Sequence, residues 1–572
     1  MHNAKLVCLL AAGLSLPCAV IAQHSASSTD SVPAINGLPA AARSAAAAID
    51  PEKIRAHVRF LSLDLLEGRG PGTRGAELAA EYIATQFALN GLEPAGDPIG
   101  GKPSYFQKVP LIAVHTIEDK TKFAFVPASG QPVELTYGSQ VVSKDETGQA
   151  TADLDAPIVF VGYGIHAPEY NWDDYAGVDV KGKIVLVIVN EPPSNDEKFF
   201  KGKTMTYYGR WTYKYEEASR RGALGVLIIH RTDLASYGWQ VVQNSQAIEK
   251  SYLAGEPTDT LRAAAWIQHD VAQRLFNLAG LGDLDKGIER AGQRGFHAQE
   301  LNVHLKAHIE SRVRKYDSTN VVARVAGGSA GPENAVLYTA HYDHLGIDPD
   351  AKGDGIYNGA ADNGTGCGIL IEMARAFAQS SQRPPHAMYF SAVTAEEQGL
   401  LGSQYLGEHL PVPARDISLD LNYDMLLPIG VPLSADLGGA ERIDLWPTIQ
   451  AIANDFNLEL LPDPDPSAGH YYRSDHFSLA RAGIPAFSVD EGILFENHDE
   501  TWGRAQFADF EEHHYHQPSD EYRADWDFRG NAKMARFGFV LGWLVSNQSH
   551  AVEWKSGDEF EGARKASEKS RD

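Results

Sequence analysis

Apolar positions fall into two textures along the chain. After Asn320, near-continuous apolar or β-forming runs at Ala335 to Ala340, Ala387 to Val393, Leu419 to Tyr423 and Ile484 to Val489 alternate with amphipathic stretches such as Ile369, Leu370, Met373, Ala374 and Phe377. Runs without polar alternation predict strands buried on both faces, and helical spacing between them predicts crossover helices; this half reads as an α/β sheet that is at least partly parallel. Between about Thr151 and Ala307 the runs are shorter, at Pro157 to Val161, Ile184 to Val189 and Ala223 to Ile229, and Gly- and Asp-rich turns separate them. They predict a β-rich segment in which no strand ends in a cluster of metal-binding residues. Upstream, Leu78, Tyr82, Ile83 and Phe87 recur at helical spacing before Gly91. The stretch Glu67 to Thr73 lacks the Lys-Ser/Thr pair of a phosphate loop and reads as a structural loop.

The ends carry no such pattern. Lys5 followed by the apolar run Leu6 to Ile21, with small residues before Gln23, predicts a cleavable export signal over residues 1–22, too short to span a bilayer. Residues 23–50 read as a flexible leader and residues 551–572 as a polar tail. A formal charge of -25 opposes attraction to phosphate backbones or anionic lipid, so nucleic-acid binding is disfavoured, and no later run is apolar enough to cross a membrane. Cys8 and Cys18 lie in the signal, so the mature chain keeps only Cys367, expected in the core, and can form no internal disulfide.

Chemistry concentrates where the predicted strands end. The first ends in His341-Tyr342-Asp343-His344, a loop carries Gly359 to Gly366 with Asp362 inside it, the second strand ends in Glu396-Glu397, the third delivers Asp424, and Tyr515-His516 lies further on. Strand ends of such a sheet line one crevice, where carboxylates and imidazoles left dry would repel one another; divalent cations are the simplest remedy.

His341-x-Asp343, Gly359-Ala360-x-Asp362-Asn363-x-x-Gly366, Glu396-Glu397-x-Gly399-Leu400-x-Gly402-Ser403, Asn422-Tyr423-Asp424-Met425, Ser474-Asp475-His476 and Tyr515-His516 together resemble the M28 family of zinc aminopeptidases. Tyr163-Gly164, Tyr175 to Val187 and Arg221 to Val226 resemble a protease-associated domain. The resemblance implies a zinc-exopeptidase-like mixed sheet flanked by helices, with a small β-rich domain inserted. The peptidase domain would occupy residues 51–150 and 308–550, and the insertion residues 151–307. It also implies two Zn²⁺ per chain, with Asp362 bridging them, His341 and Asp424 completing one site, and Glu397 and His516 the other. Asp343 would orient His341 from behind, and Asn363 departs from members that carry Asp there. Glu396, with no metal assigned to it, is the candidate general base, and Tyr515 resembles a tyrosine that hydrogen-bonds the oxyanion in some members.

The expected activity is removal of N-terminal residues from peptides by a secreted or periplasmic enzyme. A carboxypeptidase or dipeptidase of the same fold would need a cation such as Arg473 for the substrate carboxylate. A glutaminyl-cyclase-like acyltransferase would use one zinc, and a non-catalytic binding protein would have lost ligands or base, which all stand in place here.

Overall fold

The computed structural model describes residues 32–569 apart from 236, 248, 256–260, 330, 332–333 and 350. The export signal expected at 1–22 and the start of the leader, 23–31, lie outside the described residues. Strands β1 (Phe106–Thr116), β2 (Lys250–Leu253), β3 (Gln299–Val325), β4 (Ala335–His341), β5 (Met388–Val393), β6 (Ile417–Asn422) and β7 (Ala486–Ser488) form one mixed sheet in the order β7-β6-β4-β5-β3-β1-β2. The apolar runs read from the sequence become β4 to β7, which run parallel. The pairs β5-β3, β3-β1 and β1-β2 are antiparallel.

β3 is 27 residues long. Its first half leaves this sheet and pairs with Thr151–Phe160 and Lys122–Pro127. There a second sheet begins, in which Thr151–Phe160, Ile184–Ile188, Gly225–His230 and Ala263–Gln268 run parallel and Val141–Lys144 closes the edge antiparallel. The domain boundaries expected at 150/151 and 307/308 therefore do not follow the sheets. The second falls inside β3, because buried Leu301, Val303, Leu305, Ala307 and Ile309 alternate straight through it with no turn signal. Conversely, Lys250–Leu253, expected within the insertion, pairs with the first sheet.

The helices include α1 (Ala40–Ala47), α2 (Gly366–Ala378), α3 (Arg529–Ser546) and α4 (Glu561–Lys569), of which α2 and α3 pack on β4. Close approach of α3 to the sheet depends on glycine: a Cβ at Gly538 or Gly542 would stand 1.8 Å from the hydroxyl of Tyr423 or Tyr338. The flexible leader is corrected over its described part, because α1 packs on α2 and α3 with Val32, Ala42, Ala46 and Ile49 buried. A nearly all-alanine helix buries its face without producing any contrast between apolar and polar positions, so periodicity could not show it. The polar tail is corrected too. Val552, Trp554 and Phe560 are buried, Asp558 pairs with Arg442 at 2.8 Å, and the buried Arg564 donates at 3.0 Å to the carbonyls of Ala414 and Ile417. Among the described residues no helix is long and apolar enough to cross a membrane.

Candidate metal centre

Strand ends deliver the side chains. β4 ends on His341, the loop before α2 carries Asp362, Glu396 and Glu397 follow β5, Asp424 follows β6, and His516 lies beyond the helix Glu500–His513. Backbone strain gathers at the same places, with Ala395, Met425 and His516 at φ of 54°, 58° and 57°. Such left-handed conformations cost energy in non-glycine residues and cluster where a side chain must be aimed.

The result is a chain of alternating acids and imidazoles. His341 Nε2 lies 3.0 Å from Asp424 Oδ1 and 3.3 Å from Asp362 Oδ1. The other oxygen of Asp362 is 3.3 Å from His516 Nε2, which is 3.1 Å from Glu397 Oε2. Glu397 Oε1 in turn lies 2.6 Å from His344 Nδ1. Donor atoms of His341, Asp362 and Asp424 all lie within 4.8 Å of one another, and so do those of His344, Asp362 and Glu397, giving two groups that share Asp362.

These residues fit bound cations. His341 Nδ1 is 3.2 Å from the main-chain carbonyl of Asp343, so the ring hydrogen belongs there and Nε2 presents a lone pair to two carboxylate oxygens. Acceptors facing acceptors are reconciled only by a proton or a cation. His341 and Asp362 are 1% and 3% exposed, and among the described residues no Lys or Arg forms an ion pair with Asp362, Glu396, Glu397 or Asp424. Imidazole and carboxylate donors without thiolate suit Zn²⁺ with open positions.

Without a cation the charges settle on the side chains themselves. Burial opposes charge on His341, but Asp424, Glu396 and Asp362 outweigh it and hold the imidazole well above its ordinary pKa. Burial likewise opposes charge on His516, yet Asp362 and Glu397 raise it to about 10. Burial works against ionised Glu397, but His344 and His516 bring it to about 2. Glu396 is different: burial pushes its carboxyl well above the usual range, Glu397, Asp424 and Asp475 push the same way, and His341 only partly offsets them. No hydrogen bond engages that carboxyl among the described residues, and its backbone N–H donates to Asp343 Oδ1 at 3.1 Å.

Two expected positions, Asp343 and Arg473, differ from expectation. The Asp343 carboxylate is 3.9 Å from His341 Nδ1, too far for a hydrogen bond. The chain turns immediately after His341, so the main-chain carbonyl of Asp343 takes the orienting role and the carboxylate holds the Glu396 loop. Tyr515 is 40% exposed and stacks on His516 with ring centres 3.9 Å apart, at the mouth of the centre. Arg473 is exposed, and donates at 2.7 Å to the carbonyl of Ala468 in its own loop; the structure does not bring it into the centre.

Other residues emerge only in three dimensions. Ser474 donates to Asp424 Oδ2 at 2.5 Å while accepting from Asn422 Nδ2 at 2.8 Å. Asp520 accepts from the N–H groups of Ala361 and Asp362 at 2.9 and 3.0 Å. Asn363 uses both ends of its amide, donating to the carbonyl of Tyr423 at 2.8 Å and accepting from the N–H groups of Gly366 and Met425 at 2.9 and 3.1 Å. Arg69, in the loop read as structural, is buried and donates to the carbonyls of Leu61, Tyr342, Asn358 and Gly359, tying the His341 loop to the Asp362 loop. Cys367 is buried, its thiol 3.1 Å from the His341 carbonyl. His344 and Ser474 stood within motifs already visible in the sequence; nothing local pointed Arg69 inward.

Residues 320–538 match the profile of peptidase family M28. Over 275 residues the chain is 29% identical to a probable leucine aminopeptidase 2 of Aspergillus oryzae, covering 45% of this chain and 52% of that protein. Over 246 residues it is 31% identical to leupeptin-inactivating enzyme 1 of Streptomyces exfoliatus, covering 41% and 51%. The chain thus spans about half the length of each of these relatives. Among solved structures, an aminopeptidase from Aneurinibacillus sp. strain AM-1 aligns over 88% of this chain and 95% of its own, with a TM-score of 0.45 and 18% identity. Every residue of the candidate centre lies within the stretch that matches the peptidase family M28 profile.

Proposed function

We propose that the protein is an exported zinc exopeptidase that removes residues from the free N-termini of peptides, using two zinc ions that share Asp362. The observation that carries this reading is that Asp362 turns one oxygen toward His341 and the other toward His516. His341 and Asp424 would hold one ion, Glu397 and His516 the other, with His344 placed against the free oxygen of Glu397. Bound there, zinc polarises the scissile carbonyl and lowers the pKa of water.

The chain's own residues do the rest. Glu396, whose carboxyl takes part in no hydrogen bond among the described residues, takes the proton of the attacking water and returns it to the leaving amine. Ser474 and Asn422 keep Asp424 turned toward His341, while Asp520 and Arg69 fix the loops that bear Asp362 and His341. Tyr515, held by stacking on His516, donates to the developing oxyanion. An α-ammonium is the natural guest of a crevice whose carboxylates pair with no Lys or Arg among the described residues, and the names of the matched relatives point the same way. Arg473, bonded to its own loop, offers little to a carboxypeptidase reading.

The test compares a peptide with its N-acetylated form on zinc-replete protein. Acetylation should cost at least about 3 kcal/mol in kcat/KM, by analogy with leaving a buried charge unpaired. Equal cleavage of both, from the C-terminal end, would refute the aminopeptidase assignment.

A further inference from the structure

A cation from outside the family domain reaches the loop of the candidate base. Lys250 opens β2, which joins the first sheet through β1 and lies well before residue 320 in the chain. Its side chain ends over the turn that follows Glu396 and Glu397. That turn is closed by the N–H groups of Gly399 and Leu400 donating to the Glu396 carbonyl at 2.7 and 2.8 Å. Gly399 sits at φ of 114°, and a Cβ there would meet Lys250 Nζ at 3.3 Å and Cε at 3.8 Å. The ammonium therefore rests on the bare face of the glycine.

Lys250 is half-buried, yet no carboxylate among the described residues lies within ion-pair distance of it. Burial weakens its charge, and Glu396, Glu397 and Glu146 favour that charge only from further off. The neighbouring Glu249 is already engaged by Arg314 at 2.6 Å. A half-buried ammonium with no close counter-charge, held beside a reacting group, suits an anion that arrives with the substrate.

The direction of the reaction says which anion. Glu396 must reach both the attacking water and the leaving amine, so the departing residue lies on the Glu396 side of the scissile bond. Lys250 rests on the turn that directly follows Glu396. We infer that Lys250 recognises the α-carboxylate of the departing amino acid, which makes dipeptides the favoured substrates. The inference rests on the aminopeptidase reading and sharpens it by naming the substrate class.

Its test uses the zinc-replete full chain with leucylalanine and leucylalaninamide, which differ only in that carboxylate. The wild type should favour the free acid in kcat/KM. In Lys250→Met the acid-to-amide ratio should fall about tenfold, through KM more than kcat, and Lys250→Arg should keep most of it. Because both substrates are read on one protein, a folding defect lowers both rates and leaves the ratio intact. An unchanged ratio in Lys250→Met, or a wild type that prefers the amide, overturns the inference while leaving the aminopeptidase reading standing. A wild type that cleaves neither peptide overturns the reading and the inference with it.

Discussion

Two strands in this molecule look alike and end differently. β4 is fully buried and ends on His341; the strand Gly225–His230 of the second sheet is fully buried and ends on His230. Each lies among parallel neighbours, and acids surround both strand ends. Around His230, however, Arg231 pairs with Asp233 at 2.5 Å and with Asp285 at 3.3 Å, His269 takes Asp285 at 2.9 Å, and His230 itself lies 3.0 Å from the carbonyl of Tyr237. Those charges are answered from within the chain. Around His341 the carboxylates meet imidazoles and the hydroxyl of Ser474, and among the described residues no Lys or Arg comes within ion-pair distance of them. A cluster of acids and histidines at strand ends thus points to metal when no side-chain cation neutralises it.

The comparison breaks most visibly under one change made at both ends. Asp362→Asn should remove cation binding at both positions and lower turnover by at least about a thousandfold, whereas Asp285→Asn should leave metal content intact and turnover within about twofold. Comparable losses from both would erase the distinction. Glu396→Gln separates chemistry from binding: turnover should drop by roughly two to four orders of magnitude with metal content retained, and near-normal activity would remove Glu396 from its role.

A subtler test comes from charge. In cation-free protein the neighbouring carboxylates favour the charged forms of His341 and His516, raising His516 to about 10, so protons and cations compete for the same nitrogens. Cation affinity should therefore weaken as pH falls, and binding at pH 7 should release protons. Calorimetry in buffers of different ionisation enthalpy reads this directly; absence of proton release would contradict the lone-pair argument at His341. The smallest effect is expected at Asn363→Asp. A carboxylate can still accept from Gly366 and Met425 but cannot donate to the Tyr423 carbonyl, and a loss of about 1–3 kcal/mol in thermal unfolding should result. No change in Tm would show that the amide's donation carries no weight.

How much of this was legible in the chain depended on contrast. β4 to β7 stand out because unbroken apolar runs stop abruptly at His341, Glu396 and Asp424, and a strand end is where an α/β sheet displays its chemistry. β3 was cut at 307/308 because a strand shared by two sheets carries no turn to mark the join. α1 vanished in its alanines, and the anchors Val552, Trp554 and Phe560 are too irregularly spaced to reveal a docked segment. Within the centre, one motif placed Asp343 beside His341 but not which of its oxygens would be used. Arg69 and Lys250 come from far away in the chain, and only the fold brings them to the loops they touch.

The central claim is that this centre holds two cations around Asp362. Metal analysis of the mature protein after exhaustive dialysis against zinc-free buffer tests it most directly: the account predicts close to two equivalents of tightly held zinc per chain, and a reproducible value near one would contradict it.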